Sequence, residues 1–430
     1  MTRGKILDTA IGRRKFFIGV GAAAVTAGTA GIVASTYHPE SKVQADTTTL
    51  LDLPLVPWEG GPEYWKAFPK AAAAGWTDPS FFPLAVFFGR PAHAEQLKAV
   101  GINTFQAVEH NDPLSVATSK GIFCIVQDEF TAEEIGDDPN AVGLFAYDEC
   151  DMGLGCGGDD TDTNLANMHL QVSGLRERND GRFINANYSK GVLESYWALG
   201  NMDNFMAMVD VASVDNYAYT SPDTGFAITQ SQHWPIGTPT MRSATYGWLV
   251  DRMRAFKAEP GSKPNWIFVE TAKPYLNDTD ALTISPEEIE GACWSAIIHE
   301  ARGIMFFQHN NDGVNGGYSL VECSDERRER IRAANAKITS LAPVINTQSY
   351  AWDFGPETDT MLKAWNGSAY IFAEIALATG PGDRTFTMPD MIPGMTVEVV
   401  GEERTLRVKD GAFSDSFPNE YTHHVYRIPL

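Results

Sequence analysis

From Phe81 to Leu341 short apolar runs alternate with stretches of helical spacing. The runs are Phe81–Gly89, Ile102–Val108, Ile122–Gln127, Leu144–Tyr147, Phe183–Asn187, Val209–Asn216, Trp266–Glu270 and Ile304–Gln308. Helical patterns fall between them at Ala92–Val100, near Pro113–Lys120, at Asn164–Arg178, at Met241–Lys257 and at Asp325–Leu341. Thr131-Ala132-Glu133-Glu134 has the form of a capping box. Ser285-Pro286-Glu287-Glu288 offers a Ser cap with Pro at the first helical position, for a helix reaching about Ala301. Apolar strands alternating with helices mean a parallel sheet buried on both faces. Eight such units predict an α/β fold of the TIM-barrel type, a closed (β/α)8 barrel over residues 81–345. An open doubly wound sheet is the competing layout, and no GxGxxG follows any strand to favour it.

From about Thr347 the pattern changes to period-two alternation, as in Tyr370-Ile371-Phe372-Ala373, Thr396–Val400 and Leu406–Val408, with a turn at Asp410-Gly411. Residues 346–430 therefore read as a small C-terminal antiparallel β domain, sandwich-like, that stiffens the barrel or binds carbohydrate; the stiffening role is the favoured one. Residues 46–80 are a lead-in, rich in Pro and Trp from Pro54 to Trp76.

The first 45 residues have another character. Arg13-Arg14 precede a mild apolar run, Val20 to Ala34, and Val43-Gln44-Ala45 has the small residues of a cleavage site. This resembles a bacterial Tat-type signal peptide, which implies a secreted or otherwise extracytoplasmic protein. The run is too short and too Gly-rich for a good membrane span, so no membrane association is expected after cleavage; an uncleaved anchor is the alternative. Removing residues 1–45 takes away six basic and two acidic residues, which deepens the net charge from −22 to −26. Such acidity repels nucleic acid and anionic membranes, and excludes both as partners. Hydrophobic content of 43% supports a sizeable core. The ten tryptophans are platforms for sugar rings or, more often, core packing. Cys150 and Cys156 flank a short Gly-rich loop and are able to pair in an oxidising compartment; otherwise the five cysteines are small buried residues.

In a barrel of this type catalytic groups come from the C-terminal ends of the strands. Those ends carry Arg90, Glu109-His110-Asn111, Asp128-Glu129, Asp148-Glu149, Asn185 with Asn187-Tyr188, Asp215-Asn216-Tyr217, Glu270-Thr271 and Gln308-His309-Asn310. A ring of carboxylates, amides and phenols suits a carbohydrate, each of whose hydroxyls needs a partner on leaving water. Candidate substrate-binding residues are Glu109, Asp128, Asp148, Asn185, Asn187, Asp215, Tyr217, Gln308 and His309. Trp234, near Tyr246 and Trp248, is a further candidate for a sugar subsite.

The texts Gly143-Leu144-Phe145-Ala146-Tyr147-Asp148-Glu149 and Trp266-Ile267-Phe268-Val269-Glu270, with Asp215-Asn216-Tyr217, resemble clan A glycoside hydrolases. The resemblance implies a retaining hydrolase with Glu149 as acid/base on the fourth strand and Glu270 as nucleophile on the seventh. It departs from the clan at Asp148, where the typical residue is Asn, and it does not select a family within the clan. On this reading Asp148 and Asp151 crowd Glu149 and raise its pKa, while Tyr217 donates to an ionised Glu270.

Weaker features stay as alternatives. Asp159 to Asn164 has oxygen ligands at alternate spacing, and a solvated loop capping the next helix is preferred over calcium. The histidines His110, His233, His299 and His309 lack metal-ligand spacing, with His299 read as lying mid-helix, so neither metal nor cofactor is expected. His423-His424 is a surface or module-packing pair. A carbohydrate-binding envelope protein on a degenerate barrel and a transglycosylase using the same pair are the competing functions. A Schiff-base enzyme lacks a convincing lysine, since Lys273 falls in a loop. The sugar, the linkage, endo or exo action and the oligomeric state are not selected.

Overall fold

The eight barrel strands are β1 (Leu84–Gly89), β2 (Thr104–Val108), β3 (Phe123–Val126), β4 (Ala141–Asp148), β5 (Phe183–Tyr188), β6 (Val211–Val214), β7 (Asn265–Glu270) and β8 (Gly303–Phe307) in the computed structural model. They form a closed barrel in sequence order, sealed where Leu84 of β1 pairs in parallel with Ile304 of β8. Residues 51–153, 155–256, 261–274, 280–311 and 315–430 are described; residues 1–45, expected to be a Tat-type signal peptide, lie outside them. No helix among the described residues is long and apolar enough to cross a membrane.

The strands are apolar on both faces because both are covered. Leu84, Val86, Ile184, Ile267, Val269, Ile304 and Phe306 pack under the helices. Ala85, Phe87, Val142, Phe145, Phe183, Trp266, Phe268 and Phe307 fill the interior. The lead-in closes the floor of the barrel: Trp65 meets Trp76 edge-on at 4.6 Å, and Trp76 lies 5.3 Å from Phe183 and 6.2 Å from Trp266. Trp65, Trp76, Trp266 and Trp294 are thus core residues and not sugar platforms.

The capping box at Thr131 and the Ser cap at Ser285 both form, and the second is a capping box as well. Thr131 Oγ1 accepts from Glu134 N while Glu134 accepts from Thr131 N. Ser285 and Glu288 exchange the same pair of bonds, with Pro286 at the first helical position. Asp160 caps the helix Thr161–Glu177 through Thr163 N, the role preferred for that loop over calcium. Three helices stand where the sequence reading placed none, Pro69–Ala73, Met202–Ala207 and Pro222–Thr229, the last with a Ser221 cap and Pro222 at its first position like the helix at Ser285.

The C-terminal strands are β9 (Ser349–Tyr350), β10 (Thr358–Trp365), β11 (Ser368–Ile375), β12 (Gly382–Thr387), β13 (Thr396–Val399), β14 (Arg404–Arg407), β15 (Ala412–Phe417) and β16 (His423–Pro429). A six-stranded sheet runs β14-β13-β16-β11-β10-β9, with a separate β12-β15 pair, around a core containing Ile371, Phe386, Val397, Phe413 and Tyr426. Asn366-Gly367 turns β10 into β11 with φ of 47° and 71°, the left-handed pair that a two-residue hairpin requires. His423 stacks on the barrel residue Trp294 at 5.4 Å, so it packs the module onto the barrel. Below the floor, Arg302 binds Glu59 of the lead-in at 3.2 Å and Glu300 at 2.8 Å, with Lys363 of β10 3.8 Å from Glu300.

Candidate active site

β4 delivers its carboxylates through a break in regular pairing. Phe145 pairs with Asn185 but Asp148 pairs with Asn187, so three residues of β4 span two of β5. Such a bulge reverses the alternation of side chains and occurs at barrel rims for that reason. Phe145 belongs to the interior cluster, so regular alternation would point Tyr147 inward as well; the bulge puts Asp148 beside the inward Asn187 instead. Glu149 follows in the left-handed conformation, φ 54°, with its N–H on Asn187 O at 2.9 Å. That strain is sustained by a buried anchor. Asp151 accepts from Ser189 N at 3.0 and 3.1 Å and from Gly191 N at 2.7 Å, and burial raises its pKa to about 6. Cys150 and Cys156 form a disulfide that closes the loop after Glu149.

Asp148 accepts from Asn187 Nδ2 at 2.9 Å, and Ser213 Oγ donates to Asn187 Oδ1 at 3.0 Å. Gln106 Nε2 reaches Ser213 Oγ at 3.2 Å and also bonds Asn185 Oδ1. A polar ladder thus climbs from the barrel interior to Asp148. Asn185, expected at the mouth, is a fully buried rung of that ladder two residues below Asn187, and its Nδ2 donates to Val211 O at 3.0 Å.

The carboxylate facing Glu149 is Asp215, from the end of β6. Burial, the Glu149 contact and the charge on Asp148 together push Asp215 well above its ordinary range. Carboxylates gathered this closely in a buried place favour protonation of Asp215. The crowding expected from the sequence neighbours Asp148 and Asp151 is therefore divided: Asp151 turns into backbone N–H groups and Asp215 takes its place. Tyr217 Oη donates to Asp215 Oδ2 at 3.2 Å, not to Glu270 as expected, and its ring packs on Phe307 at 5.2 Å.

Glu270 ends β7 fully buried. Tyr219 N and Thr220 N donate to Oε1 at 3.1 and 3.2 Å, Thr220 Oγ1 does so at 3.2 Å, and Tyr246 Oη donates to Oε2 at 2.6 Å. These bonds favour the anion, but desolvation is the larger effect and raises the pKa to about 7. Glu270 is therefore not held firmly ionised, a correction to the expectation from hydrogen bonding alone. Tyr246, whose hydroxyl completes this shell, stood among the aromatics considered for a sugar subsite. Its position three residues into a helix start behind β6 was the available signal.

A second group gathers at the ends of β1, β2 and β8. Tyr318 Oη donates to Glu109 Oε1 at 2.6 Å, and Asn111 Nδ2 to Oε2 at 2.7 Å. Arg90 lies 5.9 Å over the Tyr318 ring, while His93 and His309 meet that ring at 4.6 and 5.4 Å. Burial raises the Glu109 pKa. Tyr318 lies beyond the strand end in a Gly-rich loop, Gly316-Gly317, which is why inspection of strand ends missed it. Asp128 stands exposed on the rim, 3.4 Å from Gln171. Gln308 is fully buried and its amide N and O have no hydrogen-bond partner among the described residues. Trp234 is buried edge-on against Trp248 at 4.9 Å with its N–H on Thr238 O, so it packs and forms no subsite.

No family model matches the sequence, and no curated protein does. Among solved structures, a glycoside hydrolase superposes with a TM-score of 0.51 at 12% identity, over 81% of this chain and 92% of that one. A family 39 glycoside hydrolase from Bacteroides cellulosilyticus gives 0.49 at 11% identity, over 81% and 82%. At these identities the likeness is one of fold: the chain has the (β/α)8-barrel architecture found in glycoside hydrolases, followed by a β domain.

Proposed function

We propose that the chain is a secreted retaining glycoside hydrolase with Glu149 as acid/base and Glu270 as nucleophile, acting on a polysaccharide or glycoconjugate. The observation that carries the reading is the placement of both glutamates at C-terminal strand ends of one closed barrel, β4 and β7, with β5 and β6 between them. A retaining pair stands about 5–5.5 Å apart, one carboxyl protonated and one ionised. The negative charges of Asp148 and Asp215 beside Glu149 suit it to the acid's part, and the four bonds on Glu270 orient the attacking oxygen. The Cys150–Cys156 disulfide favours an extracytoplasmic location, as the Tat-type segment does.

A second arrangement rests on the Glu149–Asp215 contact and on the complete burial of Glu270. Here Glu149 and Asp215 are the working carboxyls, and Glu270 shapes the loop after β6.

Reducing-sugar release from a broad glycan panel, by the parent and by Glu149→Ala, Glu270→Ala and Asp215→Asn, separates these readings. Loss of several orders of magnitude in Glu149→Ala and Glu270→Ala, with a smaller loss in Asp215→Asn, is expected. A nearly intact Glu270→Ala beside an inactive Asp215→Asn moves the assignment to the second pair. Binding of a glycan without cleavage, unchanged in all variants, overturns the hydrolase.

A further inference from the structure

A histidine and two carboxylates meet away from the barrel mouth, where the C-terminal sheet packs on the barrel. His299 is the C-cap of the helix Pro286–Ile298, not a mid-helix residue as the sequence suggested. Asp359 and Glu374 are cross-strand partners on β10 and β11. One ligand atom from each of the three lies within 4.8 Å of the others. His299 Nε2 is 3.4 Å from Glu374 Oε1 and 3.6 Å from Asp359 Oδ2. These separations are long for a charge-assisted N–H···O bond, which runs about 2.7–2.9 Å. They equal the edge of a coordination tetrahedron with bonds of about 2.0–2.2 Å, which is about 3.3–3.6 Å.

Three further observations point to a ligand. Glu374 is almost wholly buried, and its Oε1 and His299 Nε2 both lack a hydrogen-bond partner among the described residues. The other imidazole nitrogen, Nδ1, is held by Asp251 Oδ2 at 2.8 Å, the carboxylate–histidine arrangement that fixes a metal-binding tautomer. Ser295, whose oxygen accepts from Gly247 N at 3.0 Å, stands next to Glu374. Asp251, Asp359 and Glu374 face His299, with Arg242 beside Asp359. Asp251 is more than half exposed and screened by water, so the charged groups inside the site are Asp359, Glu374 and Arg242. The backbone is fitted to the histidine as well: a Cβ on Gly247 would lie 2.2 Å from His299 Cδ2.

We propose that His299, Asp359 and Glu374 bind a divalent transition-metal ion of the zinc type, which staples the C-terminal sheet to the barrel. Asp359, the most exposed of the three, leaves room for water as fourth ligand. The site is structural, since all three ligands lie outside the ring of strand ends.

The purified chain, stripped with a chelator, is titrated with zinc chloride by calorimetry and with cobalt chloride in the visible range. One equivalent of zinc, a rise in thermal midpoint on binding, and the visible absorption of four-coordinate cobalt are expected. Asp359→Asn and Glu374→Gln weaken zinc at least about 100-fold, while Asp251→Asn keeps the stoichiometry and weakens it about 10–100-fold. Far-UV circular dichroism checks the fold of each variant, and the cobalt spectrum of the parent decides the matter even where a variant fails to fold. A parent that takes up neither metal stoichiometrically, or binding undiminished in folded Asp359→Asn and Glu374→Gln, overturns the proposal and leaves a protonated histidine among carboxylates.

Discussion

Tyr246 donates a 2.6 Å hydrogen bond to Oε2 of Glu270 and stacks at 5.8 Å on Tyr219, whose own N–H donates to Oε1 of the same carboxylate. The helix Ala244–Arg254 and the loop after β6 therefore hold Glu270 from two directions. Each bond stabilises the anion against a burial that has raised its pKa to about 7. Tyr246→Phe removes the shortest of them. A hydrogen bond to a charged group contributes about 1.5–3 kcal/mol, so the Glu270 pKa rises by about one to two units. The acid limb of kcat/KM is expected to move to higher pH by that amount, with the alkaline limb in place. A pH–rate profile whose acid limb does not move would show that another group ionises there.

The same burial makes Glu270 a source of instability at neutral pH. Its folded pKa of about 7 exceeds the ordinary 4.5, so the folded chain binds this proton more tightly than the unfolded chain. Below about pH 4.5 both states are protonated and no penalty arises. Between 4.5 and 7 the penalty grows, and above 7 it reaches about 3 kcal/mol. Glu270→Gln is therefore expected to be more stable than the parent at pH 8 by up to that amount, with the gain closing by pH 4.5. Urea midpoints at a series of pH values measure it, and a pH-independent difference would sink the argument.

The barrel was legible in the sequence because burial on both strand faces writes itself as apolar runs, and all eight runs recur as strands. The capping box at Thr131 and the Ser cap at Ser285 were legible because their bonds are local. What was hidden depends on contacts between distant residues. The β4 bulge exchanges Asp151 for Asp215 as the neighbour of Glu149, and no periodicity within one strand records such a shift. Asn185 and Asn187 look alike in sequence, yet one is a rung inside the barrel and the other touches Asp148. Tyr318 and Glu420 act from loops whose reach depends on the folded chain.

The Cys150–Cys156 disulfide follows directly on Glu149, and its cysteines are six positions apart with both sulfurs buried. Closing so short a loop stabilises the fold by about 2 kcal/mol. The double variant Cys150→Ala/Cys156→Ala is expected to lose about that much in denaturant titration under oxidising conditions. Burial shields the bond, so a mild thiol reductant leaves the folded parent intact and cleaves it only after urea is added. Rapid reduction of the folded chain, followed by alkylation and mass spectrometry, would contradict this.

The C-terminal module reaches the surroundings of Glu270 through Glu420. Its Oε1 accepts from Tyr219 Oη at 2.7 Å, its Oε2 from Ser243 N at 2.8 Å, and its backbone oxygen from Ser243 Oγ at 2.8 Å. Tyr219 and Ser243 flank the loop and helix start that carry the donors to Glu270, so Glu420 fixes the shell without touching the carboxylate. Glu420→Ala leaves a buried phenol and an N–H without partners, at about 1–3 kcal/mol for each group that water does not reach. We expect a lower thermal midpoint and a fall in kcat with KM little changed, since the loss is in the orientation of Glu270. Glu420→Gln keeps an acceptor for Ser243 N and an amide that can donate to the Tyr219 oxygen, so it should restore most of both. A Glu420→Ala variant with lowered stability and undiminished kcat would reduce the contact to a purely structural one, and the module would then stiffen the barrel without setting its chemistry.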